Sequence, residues 1–298
     1  MKKIFKFIKN LLVNIVKDDF PGMASEMAFN FIFALFPFLI FLVAIFGLIG
    51  TESQISQILV FMEGFVPSDV MRLIEGVLRN VISSSSSGGI LTIGLFIALF
   101  AASNATAVMI KGINKAFNVT ETRPIWYTRW LAIVLVIMNA MVMFLGINLI
   151  IFGKLILFFI VRFFNFSPEL ANMVLLIRWP IAFSALYLVT FLNYYFMPNI
   201  GGDNRVRILS ALPGSMFFCV FWLLASWVFG LYVDNFGVYN KVYGTLGVFV
   251  VLMLWLYYTS LVILIGGEIN SIAYKRLYAE EGGNPPAIRF PIFHKHSQ

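Results

Sequence analysis

The chain is poor in charge, in cysteine and in histidine. Only 12% of its 298 residues are charged, about half the share of an ordinary soluble domain. A fold that faces water needs more polar surface than that, so most of this chain has another solvent. The single cysteine, Cys219, lies inside an apolar run and excludes both a disulfide framework and a cysteine-ligated metal cluster. The two histidines, His294 and His296, stand in a polar tail behind Pro285, Pro286 and Pro291. A metal site needs more converging ligands than one His-x-His pair supplies, so neither a metal nor a cofactor is expected. The phosphate-binding loop, the dinucleotide fingerprint and the HExxH zinc motif are missing as well. So is the strict apolar-polar alternation that spanning β-strands require.

What the chain has is apolar length. Hydrophobic residues make up 60% of it, with 33 phenylalanines among them. Six stretches are long enough for a helix to cross the roughly 30 Å hydrocarbon core, which takes about 20 residues. They run approximately 27–50, 90–110, 131–152, 179–197, 209–233 and 242–267. In lipid each backbone polar group must be satisfied within the protein, and helices do this locally. The expected fold is an all-α integral membrane protein with six transmembrane helices over residues 21–275.

The few charges give that bundle a direction. Lys2, Lys3, Lys6, Lys9 and Lys17 precede the first stretch. Lys111, Lys115, Arg123, Arg129, Arg205 and Arg207 fall in the second and fourth connections, and Lys275, Arg276, Arg289 and Lys295 follow the last stretch. The odd-numbered connections hold Arg72, Arg79, Lys154, Arg162, Arg178 and Lys241. Basic residues are retained on the cytoplasmic side, which predicts that both termini are cytoplasmic. The net charge of +7 is then a matter of topology, and nucleic acid is not an expected partner.

Two segments outside the spans have patterns of their own. Residues 1–20 set Ile4, Phe7, Ile8, Leu11, Leu12 and Ile15 at helical spacing among lysines, as in a helix lying on an anionic leaflet. The first outer connection reads as an amphipathic helical hairpin over 55–82. Val70, Leu73, Ile74, Val77, Leu78, Val81 and Ile82 line one face of its second half. A flexible linker, 83–89, follows it, and a cytoplasmic tail covers 276–298.

Polar side chains within the spans are the candidates for chemistry, because they are costly there and face a bundle interior or a hydrated path. They are Asn30 in the first span, Asn104 and Lys111 in the second, Arg178 and Asn193 in the fourth, and Glu268 with Asn270 at the end of the sixth. Asn114 and Lys115 extend the polar face of the second span, while Asn139 and Asn148 in the third read as hydrogen-bonding glue between helices. Glu268 is open to two readings: an ion pair with Lys111, Lys115 or Arg276, or a partner for a cationic headgroup or a coupled proton. Helix breakers Pro37, Pro180, Pro213, Gly244 and Gly247 mark candidate kinks or gates.

Particular residues carry a resemblance. The stretch from Gly22, Met23, Ala24, Ser25 and Glu26 to Pro37, and the span from Gly94 through Ser103 to Asn114 and Phe117, are similar to the YihY/BrkB family of bacterial inner-membrane proteins. Tyr195, Met197, Pro198, Asn199, Pro213-Gly214, Tyr232, Asn235, Phe236, Gly237, Tyr239, Asn240, Tyr243-Gly244, Gly247 and Leu254-Trp255 extend it. It ends on Gly266-Gly267-Glu268-Ile269-Asn270. Asn30 departs from the pattern, standing where members often carry an aromatic residue. The resemblance implies a six-helix inner-membrane fold and a role in the cell envelope or its lipid traffic. It also brings a ribonuclease label, which the missing hydrolytic motifs contradict.

The reading that these features support is a transporter or flippase for a lipid or lipid-like amphiphile. Its partners would be membrane lipids, with a second copy or envelope proteins beside them. The alternative is a non-transporting scaffold for envelope assembly. An intramembrane enzyme ranks last, because few nucleophile-and-base pairs can be drawn.

Overall fold

The computed structural model describes residues 2–49, 87–142, 168–200, 204–234 and 245–280. Among them are seven helices and no strand: α1 (Lys2–Lys17), α2 (Phe20–Ile49), α3 (Ser87–Ala116), α4 (Ile125–Val142), α5 (Pro168–Phe196), α6 (Asn204–Asp234) and α7 (Thr245–Glu280). Four of these contain segments long and apolar enough to cross a membrane, Phe96–Ala116, Ile125–Val142, Arg207–Leu231 and Phe249–Glu280. The hairpin expected over 55–82 lies outside the described residues, as do Asn148 and Gly244.

Several helices outrun their expected bounds. α3 begins at Ser87 and takes in Gly88 and Gly89, which composition alone assigns to a linker. α5 starts eleven residues before Trp179, the first residue of the expected span, and α7 continues through Lys275 and Arg276 to Glu280. Helix propagation costs little once a long apolar run has nucleated it, so polar flanks are drawn in. α2, α5 and α6 also run on through Pro37, Pro180 and Pro213. Proline removes one helical hydrogen bond and leaves the rest of the helix intact.

Two compact units account for the described packing. The first is drawn from residues 1–14, 113–221 and the chain from Ile265 onward; the second from 15–112 and 222–264. In the second unit, Phe20, Met23, Met27 and Ile32 of α2 and Ala98, Ala105 and Met109 of α3 are buried. A side chain at Gly112 would meet Leu264, Met23 and Met27, so its absence lets these residues close together. Trp222 donates its indole N–H to Thr259 at 3.2 Å and packs on Trp255. α2 starts on a cap: the Asp19 carboxylate accepts the Gly22 amide at 3.3 Å, with Asp19 at a φ of 50°. A Cβ on Gly22 would strike that carboxylate, which explains glycine at this position.

Candidate functional site: a buried polar layer

In the first unit polar residues gather at the C-terminal ends of α3, α5 and α7. α7 is the hub. Gly266, Gly267, Glu268, Asn270 and Ser271 are all buried there, and Glu268, Asn270 and Ser271 have no exposed surface. Three helices close on it through its glycines. A Cβ on Gly266 would meet the Tyr194 hydroxyl and the Gly214 carbonyl oxygen; one on Gly267 would meet Ile113 and Ala116. At the approach of Gly214 to Gly266 both side chains are missing, the small-residue packing typical of membrane helices.

Glu268 is tied to the N-terminal helix. Its carboxylate accepts a hydrogen bond from the Asn14 amide of α1 at 2.6 Å, across 254 residues of sequence. Of the cations weighed as its partners, Lys111 forms a salt bridge with Glu26 at 2.9 Å and Arg276 one with Glu280 at 2.9 Å. Asn270 accepts the Gly214 backbone N–H at 2.6 Å. Its own side-chain nitrogen and the Ser271 hydroxyl are buried without a hydrogen-bond partner among the described residues. Such groups are rare, since burying an unpaired donor costs about 1–3 kcal/mol.

A second polar cluster ties the loops beside this layer. α3 ends on a Schellman turn: Val119 N–H bonds the Asn114 carbonyl, Asn118 N–H bonds that of Lys115, and Asn118 adopts a φ of 56°. The turn leaves the Asn114 side chain buried, giving its N–H to Glu121 at 2.8 Å and accepting the Asn199 backbone N–H at 2.7 Å. Arg123 grips Glu121 with two bonds, Nε at 2.7 Å and Nη2 at 2.6 Å. It also donates to the Met197 carbonyl at 2.8 Å, where the carbonyls ending α5 need donors. Asn199 completes the cluster by donating to the Thr120 carbonyl and the Thr122 hydroxyl. For Glu121, burial raises the carboxyl pKa. The side-chain and backbone bonds from Arg123, its positive charge and the Asn114 amide outweigh that and hold it below the ordinary carboxylate value.

The other candidates separate. Asn193 and Asn139 exchange amide bonds at 2.7 and 3.3 Å, joining α5 to α4. Asn30 spends its N–H on the Glu26 carbonyl of its own helix. Asn104 and Lys111 belong to the second unit, where Asn104 is half-buried and Lys111 is exposed. Arg178 lies in α5 with its side chain outside the described set, as does that of Pro37. Pro180 and Pro213 are exposed and Gly247 is buried. Of the candidates for a substrate path, Glu268 and Asn270 lie together in the buried stretch of α7 within the first unit. Asn14, Glu121, Tyr194 and Ser271 belong with this polar end of the unit and escaped the sequence reading.

No group of three His, Cys, Asp or Glu side chains that could hold a metal ion exists among the described residues.

A family model described as virulence factor BrkB matches residues 11–289. The chain is 28% identical over 270 residues to the ribonuclease-like protein YfkH of Bacillus subtilis, covering 91% of this chain and 96% of that protein. It is 26% identical over 285 residues to a UPF0761 membrane protein of Cronobacter sakazakii, with 90% of this chain and 88% of the other covered. A UPF0761 membrane protein of Stenotrophomonas maltophilia is 27% identical over 282 residues, which make up 61% of its length. No solved structure matches.

Proposed function

This chain belongs to the virulence factor BrkB family of membrane proteins, and from that premise we propose that it carries the polar headgroup of a lipid or similar amphiphile across the bacterial inner membrane. The observation that carries the reading is Glu268, a carboxylate with no exposed surface placed in the most apolar of the candidate spans. Ionisable groups in such a position are expensive, and where they persist they mark substrate or ion pathways. Buried polar atoms of Asn270 and Ser271 on the same helix add hydrogen-bonding capacity that a passing headgroup can use. The proposed topology has six spans with both termini cytoplasmic. The exposed Trp126, Tyr127 and Trp130 at the start of α4 support an interface at that end, since such aromatics collect at headgroup level. With no nucleotide-binding motif in the sequence, movement would be passive, ion-coupled or driven by a partner.

The test is reconstitution. Proteoliposomes carrying fluorescent lipid probes of zwitterionic and anionic headgroups are treated with dithionite, which bleaches only the outer leaflet. Wild-type protein should expose inner-leaflet probe faster than empty vesicles for at least one headgroup, and Glu268→Gln should slow it about tenfold or more while remaining folded. If wild-type vesicles match empty ones for every headgroup, the transport reading fails and a scaffold is the better account.

A further inference from the structure

One face of α1 is packed and another is bare. Leu11 and Asn14 are half-buried, and the bond from Asn14 to Glu268 fixes how the helix is rotated. Phe5 is 72% exposed and Leu12 58%, with Ile8 exposed between them. Spacings of three and four residues place these three on one row of the helix. Lys9, also exposed, flanks that row, and the exposed Asn10 lies on the opposite side of the helix. The helix as a whole has five lysines and no acidic residue.

A large apolar row in water needs a cover, and the charge pattern selects it. A protein partner or a second copy would meet a uniformly basic helix only with a matching acidic surface, and this chain is itself basic at +7. A leaflet containing anionic lipid meets both demands at once: acyl chains take the apolar row, and phosphates take the lysines. It is also within reach, because α2 begins at Phe20, three residues after α1 ends. We propose that α1 docks in the plane of an anionic lipid leaflet, with Phe5, Ile8 and Leu12 below the headgroups and Lys9 at phosphate level. The docking stands independently of the transport reading.

Full-length protein is labelled with nitroxide at Ile8→Cys, Leu12→Cys, Lys9→Cys or Asn10→Cys; native Cys219 is buried. The variants are reconstituted in phosphatidylcholine with or without phosphatidylglycerol, and accessibility to oxygen and to a water-soluble nickel chelate is measured. With phosphatidylglycerol, positions 8 and 12 should favour oxygen several-fold over positions 9 and 10, and the contrast should shrink several-fold without it. All four positions exchanging equally with nickel would overturn the proposal. So would positions 8 and 12 shielded from both reagents, which would indicate a protein cover, or an equal contrast in the two lipids, which would remove the role of charge.

Discussion

Asn270 of α7 accepts the backbone N–H of Gly214 of α6 at 2.6 Å, inside a crossing that a single methyl group would block. Gly214 has the Gly266 carbonyl oxygen and the Asn270 amide in the place where its Cβ would stand. Gly266 is likewise held against Tyr194. Glycine costs a helix about 1 kcal/mol relative to alanine, so two buried glycines at one crossing are retained for the contact they permit.

Gly214→Ala and Gly266→Ala should therefore destabilise the protein by about 1–3 kcal/mol, as overpacked cores do. Gly230→Ala is the control. A Cβ there meets nothing within 4 Å, so alanine should be neutral or stabilising by up to about 1 kcal/mol. Thermal unfolding in detergent decides it, and equal losses at all three positions would contradict the crossing.

The Asn139–Asn193 exchange should show as coupling in a double-mutant cycle. Each amide replaced singly by alanine leaves its partner buried or half-buried without the exchange. The coupling energy should be about 0.5–1.5 kcal/mol, the range such bonds show between membrane helices. Strict additivity would mean that the pair adds nothing to the join between α4 and α5.

Arg123 should resist replacement by lysine. Its planar fork binds both Glu121 oxygens and still reaches the Met197 carbonyl, a geometry that a point charge cannot reproduce. Arg123→Ala should cost about 1.5–3 kcal/mol by the loss of charge-assisted bonds, and Arg123→Lys a substantial part of that. Both are read from unfolding midpoints. A lysine variant as stable as wild type would show that charge alone suffices.

Stability should fall in acid partly through Glu121. Its folded carboxyl is held below the ordinary value, chiefly by Arg123 against the opposing effect of burial. The unfolded chain therefore takes up the proton first as the pH drops. The contribution is fully present above the ordinary carboxylate pKa of 4.5 and is lost as the pH falls through the lower folded value. Unfolding midpoints followed from neutral to acid pH should decline in that window, and Glu121→Gln should flatten the decline. An unchanged slope in the variant would assign the acid sensitivity to other groups.

Much of the fold was legible because apolar length and helical hydrogen bonding are local properties. The second, third, fifth and sixth expected spans each overlap a segment that is long and apolar enough to cross a membrane. Local chemistry also reaches Glu121 and Arg123, two residues apart, though the polar loop around them looked like an ordinary connection. The prolines were read as candidate kinks or gates, and three of the helices continue through them, because one missing N–H does not undo a long apolar helix.

Composition and the distribution of apolar runs were enough to determine that the described chain is helical and that several of its helices are long and apolar enough to cross a membrane, since both follow from the transfer of side chains and the pairing of each backbone with itself. The partners of the polar residues were decided by the tertiary structure alone. Asn14 meets Glu268 across 254 positions, and Gly214 meets Asn270 across 56. No periodicity encodes such pairings, because they depend on which helices lie close and how each is rotated.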